Sequence, residues 1–383
     1  MQTRALLAAA TTAALALTAC SGTTGRRITE FLRSGPPPLP ADTRTVVAVT
    51  ETPPVTDPGD AADDPAIWVN AADPSASLVV ATNKLRGLLV YGLDGELVSS
   101  SDAGELNNVD LRVGGTGQEA VIVVSATNRA GQTIDVFGLD PGTGNLFPLL
   151  NAPITPDFTE DPYGLCMYQS AVNGDLYVFA IGFDGTVEQW RLDRGTENGW
   201  TGTLVRSWEI GSKTEGCVAD DANGWLFVGE EEVGVWRYGA EPDTGTPGRT
   251  EVDRVGVGES GGGRLAASVE GVTLYAPPGG DPLAGFLLAS SQGNNTYVVY
   301  DRAPPHAYRG TFRVGDGAGT VDGTEDTDGV DVVASPLGPN YPMGLLVVQD
   351  GINVAPDGSE ANQNFKFVSW QDVAEALDLV PGS

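Results

Sequence analysis

Acidic and amide side chains recur in this chain where apolar runs begin or end. Six short runs open on them: Asp63-Asp64 before PAIWV, Asn107-Asn108 before VDLRV, Asp161 and Tyr163 in DPYGLCMY, Glu215 in TEGCVADD, Glu270 in VEGVTLYA, and Asp326 and Asp328 at the start of TDGVDVVA. A second set closes the apolar runs that follow: Asn83-Lys84, Asn128-Arg129, Glu230-Glu231, Asn294 and Gln349-Asp350. Taken alone, any one of these acids reads as a solvated loop residue. Asp63/Asp64 beside Pro65, Glu215 before Gly216, and Glu230/Glu231 directly after an apolar strand go beyond that. Carboxylates gathered in a partly desolvated mouth need counter-ions. Oxygen ligands without paired His or thiolates point to Ca2+ rather than Zn2+ or Cu2+. Lys84 and Arg129 stand among the acids as contacts for an oxyanion. For Arg129 an ordinary surface salt bridge is the competing reading.

The rest of the composition removes several classes of chemistry. Against 51 Asp+Glu stand 21 Lys+Arg, a net charge of −30 that excludes a nucleic-acid groove. The single histidine, His306, lies in APPHAY, where the flanking prolines suggest a surface loop. A Ser-His-Asp hydrolase or a multi-His zinc site would depend on it alone. Neither Cys166 nor Cys217 opens a C-x5-R phosphate cradle, so cysteine phosphatase chemistry is out.

The elements that carry these residues repeat. An apolar strand with one aromatic (Tyr91, Phe137, Trp190, Trp236, Tyr300, Trp370) appears six times, often before a turn such as Asp-Gly. Each is preceded by a second strand (78–83, 120–128, 176–182, 225–231, 286–294, 344–351), and that by a first strand with a polar head (63–69, 107–113, 161–168, 214–221, 269–276, 327–334). Short β-rich units with turn residues between them predict an all-β, six-bladed β-propeller with four- to five-stranded antiparallel blades. In an antiparallel pair the start of one strand and the end of the next share an edge. All the heads and second-strand ends therefore belong to one face, ringing the channel mouth if the first strands line the axis.

The N-terminus reads as an address. MQTR is a short positive start, Ala5 to Leu17 is apolar, and LTAC (17–20) has the form of a lipobox, with Cys20 the lipidation site. A plain secretory peptide is the alternative. The expected organisation is a lipoprotein signal peptide (1–19), a flexible Pro/Ser/Gly tether (20–44) and a propeller domain (45–383). The product is an exported monomer, lipid-anchored at the periplasmic or outer-membrane face of the envelope, or secreted, touching membrane only through its anchor. In that oxidising compartment Cys166 and Cys217, both in first strands of consecutive blades, are expected to form a disulfide, with two separate buried thiols as the alternative.

From about residue 50 onward the chain resembles the β-propeller phytases, calcium-dependent enzymes that hydrolyse myo-inositol hexakisphosphate. The resemblance rests on DAADDPAIW (60–68), TNK (82–84), NNVDLR (107–112), NR (128–129), YG (163–164), TEG with ADD (214–221) and EE with W (230–236). It continues through AEPDTG (240–245), EG (270–271), SSQGN (290–294), DGTEDTDGVDV (322–332), GPNYPMG (338–344) and ANQNFK (361–366). It implies a phosphoric monoester hydrolase of the 3-phytase type that takes calcium phytate and holds several Ca2+ ions. Glu51, Asp63, Asp64, Glu215, Glu231, Glu270, Asp322, Asp328, Asp350 and Asn353 match calcium or cleavage-site positions. Glu230, from the rim pattern, joins them as a metal candidate; Asp63, Glu215, Glu231 and Glu270 are the catalytic acids. Lys84, Arg129 and Tyr163 match phosphate contacts. The chain departs from the family at Phe183, where a phosphate-binding Lys is usual. Leu85 replaces a second Lys, which Arg86 could substitute. Ser268 and Ile352 stand where calcium-binding acids are found. These departures imply weaker phosphate and calcium binding. They keep open a calcium-centred propeller lactonase or esterase, or a non-enzymatic calcium-stabilised surface binding module.

Overall fold

The computed structural model describes residues 39–379, apart from 116, 118–119, 196–198, 245–247, 258–261, 318 and 320. The expected signal peptide, Cys20 and most of the tether lie outside the described residues. Six sheets form six blades. The first four, from the innermost strand outward, are Ala62–Trp68, Leu78–Asn83, Gly87–Tyr91 and Leu97–Asp102; Leu106–Gly114, Val121–Asn128, Thr133–Leu139 and Leu146–Pro148; Pro162–Gln169, Leu176–Gly182, Thr186–Arg194 and Trp200–Glu209; and Thr214–Asp220, Trp225–Glu230, Gly234–Gly239 and Thr250–Arg254. The fifth begins Val269–Tyr275, Phe286–Ser291, Thr296–Asp301, Tyr308–Gly315, and the sixth Val330–Val333, Leu345–Asp350, Asn364–Ser369.

The N-terminal stretch closes the ring. Thr50–Glu51 pairs antiparallel with Asn364–Ser369 as the outer strand of the sixth blade. Arg44–Val47 adds a fifth strand to the fifth blade, pairing parallel with Tyr308–Gly315, so that one edge departs from the antiparallel pattern. The innermost strands contact one another in sequence from first to sixth and back to the first. They line the axis.

Six hydrophobic clusters fill the six interfaces between neighbouring blades. Strands covered on both faces need continuous apolar runs, and Leu78–Asn83 and Leu176–Gly182 are buried along their whole length. The outer Leu97–Asp102 faces solvent and carries serines. Cys166 and Cys217 are joined by a disulfide, Cα atoms 5.7 Å apart, that ties the innermost strands of the third and fourth blades.

Two sequence expectations need correction. The sequence pattern puts Trp370 in a strand, but that strand ends at Ser369 and Trp370 opens the helix Trp370–Ala376. The indole stacks on Tyr275 at 4.2 Å between ring centroids, sealing the fifth and sixth blades together. His306 is not a surface residue. Its turn folds back on the fourth blade, where the ring is buried edge-on against Phe227 and its Nε2 lies 2.8 Å from Arg237 Nη1.

Candidate active site

Local backbone geometry explains why the heads converge. In the first five blades the register slips at the start of the innermost strand, between Ala62 and Pro65, Leu106 and Val109, Pro162 and Gly164, Thr214 and Cys217, and Val269 and Val272. A bulge at a strand end re-aims side chains out of the regular alternation. Four heads are followed by glycine, and a Cβ there would collide with the next blade: Gly164 with the Glu215 carbonyl, Gly216 with that of Glu270, Gly271 with the Val330 amide and Gly329 with Asp64. Glycine lets neighbouring heads approach backbone to backbone.

At the centre stand Glu215, Glu231 and Glu270, all buried, each with a carboxylate oxygen within 4.8 Å of the others'. Glu231 comes from the residue after the second strand of the fourth blade, held by its N–H to the Lys213 carbonyl and by its own carbonyl to the Val269 N–H. Asn107 Nδ2 donates to Glu215 Oε1 at 2.7 Å, and Lys213 Nζ lies 2.7 Å from Glu231 Oε1. Beside this cluster the buried Lys84 ammonium bridges Asp63 (3.2 Å), Asp328 (3.0 Å) and Asp60 (2.6 Å), and Gln292 Nε2 donates to Asp328 at 2.6 Å.

The electrostatics follow from the crowding. Burial, with Glu231 and Glu215 adding, holds the Glu270 carboxyl well above the usual carboxylate range. Burial raises Asp63 likewise, with Lys84 opposing, and pushes Asp328 up to about 6. Burial would lower the Lys84 ammonium, but Asp328, Asp63 and Asp60 outweigh it and keep it charged. Among the described residues, Asp63 Oδ2 and Glu270 Oε2 are buried without a hydrogen-bond partner. Such orphaned oxygens are costly, and a hard cation with oxygen ligands fits this donor set.

The remaining candidates fall into three groups. Glu51, Asp322, Asp350 and Asn353 gather around one buried ammonium, Lys366, which donates to Glu51 and Asp322 and lies 3.1 Å from Asn353 Oδ1 and 3.2 Å from Asp350 Oδ2. Burial pushes Asp350 up to about 6. Asp64 and Glu230 already hold protein partners. Asp64 accepts the Val109 N–H at 3.0 Å, stapling two blades, and Glu230 accepts from Ser212 Oγ (2.6 Å) and Trp236 Nε1 (2.7 Å). Among the phosphate candidates, Arg129 Nη2 lies 3.5 Å from the Lys84 carbonyl, and its Nε is buried without a partner among the described residues. Tyr163 meets Phe183 edge-on at 5.1 Å, its hydroxyl pushed up by burial and then by Glu215 and Glu270. Arg86 is 49% exposed and holds Asp57 with two bonds, of 3.0 and 3.2 Å. Asp326 and Ile352 are exposed, and Ser268 is buried.

Sequence reasoning missed Lys213, Lys366, Asp60 and Gln292. Lys366 closes the quoted ANQNFK stretch, and Lys213 immediately precedes TEG, so proximity to those stretches was the available signal.

Several known proteins resemble this chain. The phytase family model matches residues 34–382. A 3-phytase from Bacillus subtilis (strain 168) is 42% identical over 341 residues, which cover 88% of this chain and 86% of that protein. Among solved structures, Sqt1 of Chaetomium thermophilum bound to the N-terminus of the ribosomal protein L10 overlaps 80% of this chain and 76% of its own at 16% identity and a TM-score of 0.43. BBS1N in complex with ARL6DN overlaps 78% of each chain at 12% identity and a TM-score of 0.41.

Proposed function

The chain belongs to the phytase family, and from that premise we propose that it hydrolyses the phosphomonoesters of myo-inositol hexakisphosphate with calcium as its cation, releasing inorganic phosphate and lower inositol phosphates. The observation that carries the reading is the buried Glu215–Glu231–Glu270 cluster beside Lys84 and Arg129. These three glutamates, with the unpartnered Oδ2 of Asp63, would hold calcium through oxygen. When bound, calcium supplies positive charge where the phosphoryl oxygens gain negative charge on the way to the transition state.

The chain's own groups do the rest. Lys84 serves as a point charge for a phosphate oxygen, and Arg129 offers guanidinium donors next to it. Tyr163, kept protonated by burial, donates its O–H. The catalytic role of calcium is assigned to the first cluster because its glutamates act electrostatically on the phosphate candidates Lys84 and Tyr163.

The reading extends to location: a monomer that is exported, lipid-anchored at the envelope or secreted. The MQTR start and LTAC at 17–20 support it, and the Cys166–Cys217 disulfide fits an oxidising compartment. A lactonase or esterase that used His306 as its base loses support, because that ring is buried against Phe227 and Arg237 rather than among the heads. Phosphate release from phytate, with added calcium and with excess chelator, tests the proposal. Turnover must require calcium, and a protein that releases no phosphate in calcium ends the reading.

A further inference from the structure

Lys213 belongs to the connector between the third and fourth blades, immediately before the head that carries Glu215. Its ammonium lies 2.7 Å from Glu231 Oε1 and 4.8 Å from the ring centroids of both Tyr163 and Phe183, which meet edge-on. That is cation–π range on two faces. The side chain is 25% exposed, so the ammonium rests on rings and a carboxylate while part of the side chain still reaches solvent.

We propose that Lys213 is a phosphate-binding residue of this site, presenting its ammonium to a phosphoryl oxygen of the substrate between Tyr163 and the glutamate cluster; this rests on the phytase reading above. A pure counter-ion for Glu231 would need neither aromatic support nor an opening to solvent. An ammonium has three donors, and the rings occupy none of them by hydrogen bonding. Once a divalent cation takes the Glu231 oxygen, the donor facing that carboxylate is free for an anion. Phe183 then has a role as Phe: an apolar floor that positions the cation and does not compete for it. A Phe183→Lys substitution would set a second ammonium against Lys213.

The test uses the full chain and two variants, Lys213→Met, which keeps the stem without the charge, and Lys213→Arg, which keeps the charge. KM and kcat for phytate are measured in saturating calcium, with the inhibition constant of inorganic phosphate, and calcium affinity is measured by calorimetry without substrate. Losing one charge-assisted hydrogen bond should raise the KM and the phosphate inhibition constant of Lys213→Met by roughly tenfold or more. Its kcat should move less, and its calcium affinity should hold or tighten because a cation beside Glu231 is gone. Lys213→Arg should recover most of the phosphate binding. The proposal is overturned if Lys213→Met leaves both phosphate constants within twofold of the parent, or if calcium and phosphate binding weaken together, as a residue that only holds Glu231 and its strand end in place requires. A parent protein inert toward phytate in calcium overturns the phytase reading itself, so the two failures are distinguishable.

Discussion

Replacing Glu270 by Gln should stabilise the protein in chelator and destabilise it in calcium. Three buried carboxylates with oxygens within 4.8 Å of one another repel pairwise. At an effective dielectric of about 20, each pair at that separation costs about 3.5 kcal/mol, while Lys213 at 2.7 Å from Glu231 returns about 6. Lys213 offsets part of that repulsion, and Glu270, held up by burial and then by Glu231 and Glu215, is the carboxylate that a proton or a cation would relieve most. Glu270→Gln keeps the shape and removes two of the three repulsive pairs, about 7 kcal/mol at that separation. Relaxation of the site, and the Lys213 attraction lost with the Glu270 carboxylate, reduce that to about 1–3 kcal/mol. For a chain of this length 1 kcal/mol is worth ~1–2 °C, so at pH 8 in chelator the variant should melt ~2–5 °C above the parent. In calcium at about 1,000 times the parent site's dissociation constant the order should reverse, because a ligand is lost and that site contributes about 4.1 kcal/mol. Scanning calorimetry in both conditions reads the two shifts. A variant that melts below the parent in chelator as well as in calcium would refute the reasoning, since Glu270 would then be a structural hydrogen-bonding group rather than a charge awaiting a cation.

Other outcomes follow from the same structure. Burial pushes Asp331 up to about 7, with Asp110 adding, and Asp328 and Asp350 to about 6. The folded state therefore binds more protons than the unfolded chain between pH ~4 and 7, and the melting temperature in chelator should fall as pH rises through that window; a flat or rising curve would contradict it. Gly216→Ala, whose Cβ would meet the Glu270 carbonyl, should lower stability by about 2–4 kcal/mol and abolish turnover, whereas Gly248→Ala, with nothing within 4 Å, should be near neutral. Equal melting curves for those two variants would show that the heads do not need their close approach. Opening the Cys166–Cys217 bridge, which spans 51 residues, should cost about 4 kcal/mol by the chain-entropy model. Melting with and without reductant checks this, and an unchanged transition in fully reduced protein would speak against it.

The blade pattern was legible because each strand announces itself locally, and the head-glycine pairs Tyr163-Gly164, Glu215-Gly216 and Glu270-Gly271 mark where neighbouring blades touch. Features that depend on distant partners were not. Thr50–Glu51 is too short to read as a strand, and becomes one only because Asn364–Ser369 leaves an edge open. Lys366 meets Glu51 across 315 residues of sequence, and no local spacing foretells an ammonium among those acids. Asp64 and Glu230 carry the right chemistry, yet a neighbouring backbone N–H and an indole claim their oxygens. His306 looked exposed because prolines flank it, while its burial comes from Phe227 and Arg237 of another blade. Side-chain type and sequence position thus marked the mouth of the channel. Which acids share a cation depended on bulges and on cations supplied from other blades.

The central claim is that the Glu215–Glu231–Glu270 cluster is a cation-dependent phosphate-releasing centre. The most direct measurement is the initial rate of phosphate release from phytate against free calcium, for the parent protein and for Glu231→Gln. The account predicts saturable activation of the parent, no turnover in excess chelator, and at least a hundredfold loss in the variant at any calcium concentration. Undiminished turnover of the parent in chelator, or of Glu231→Gln in calcium, would contradict it.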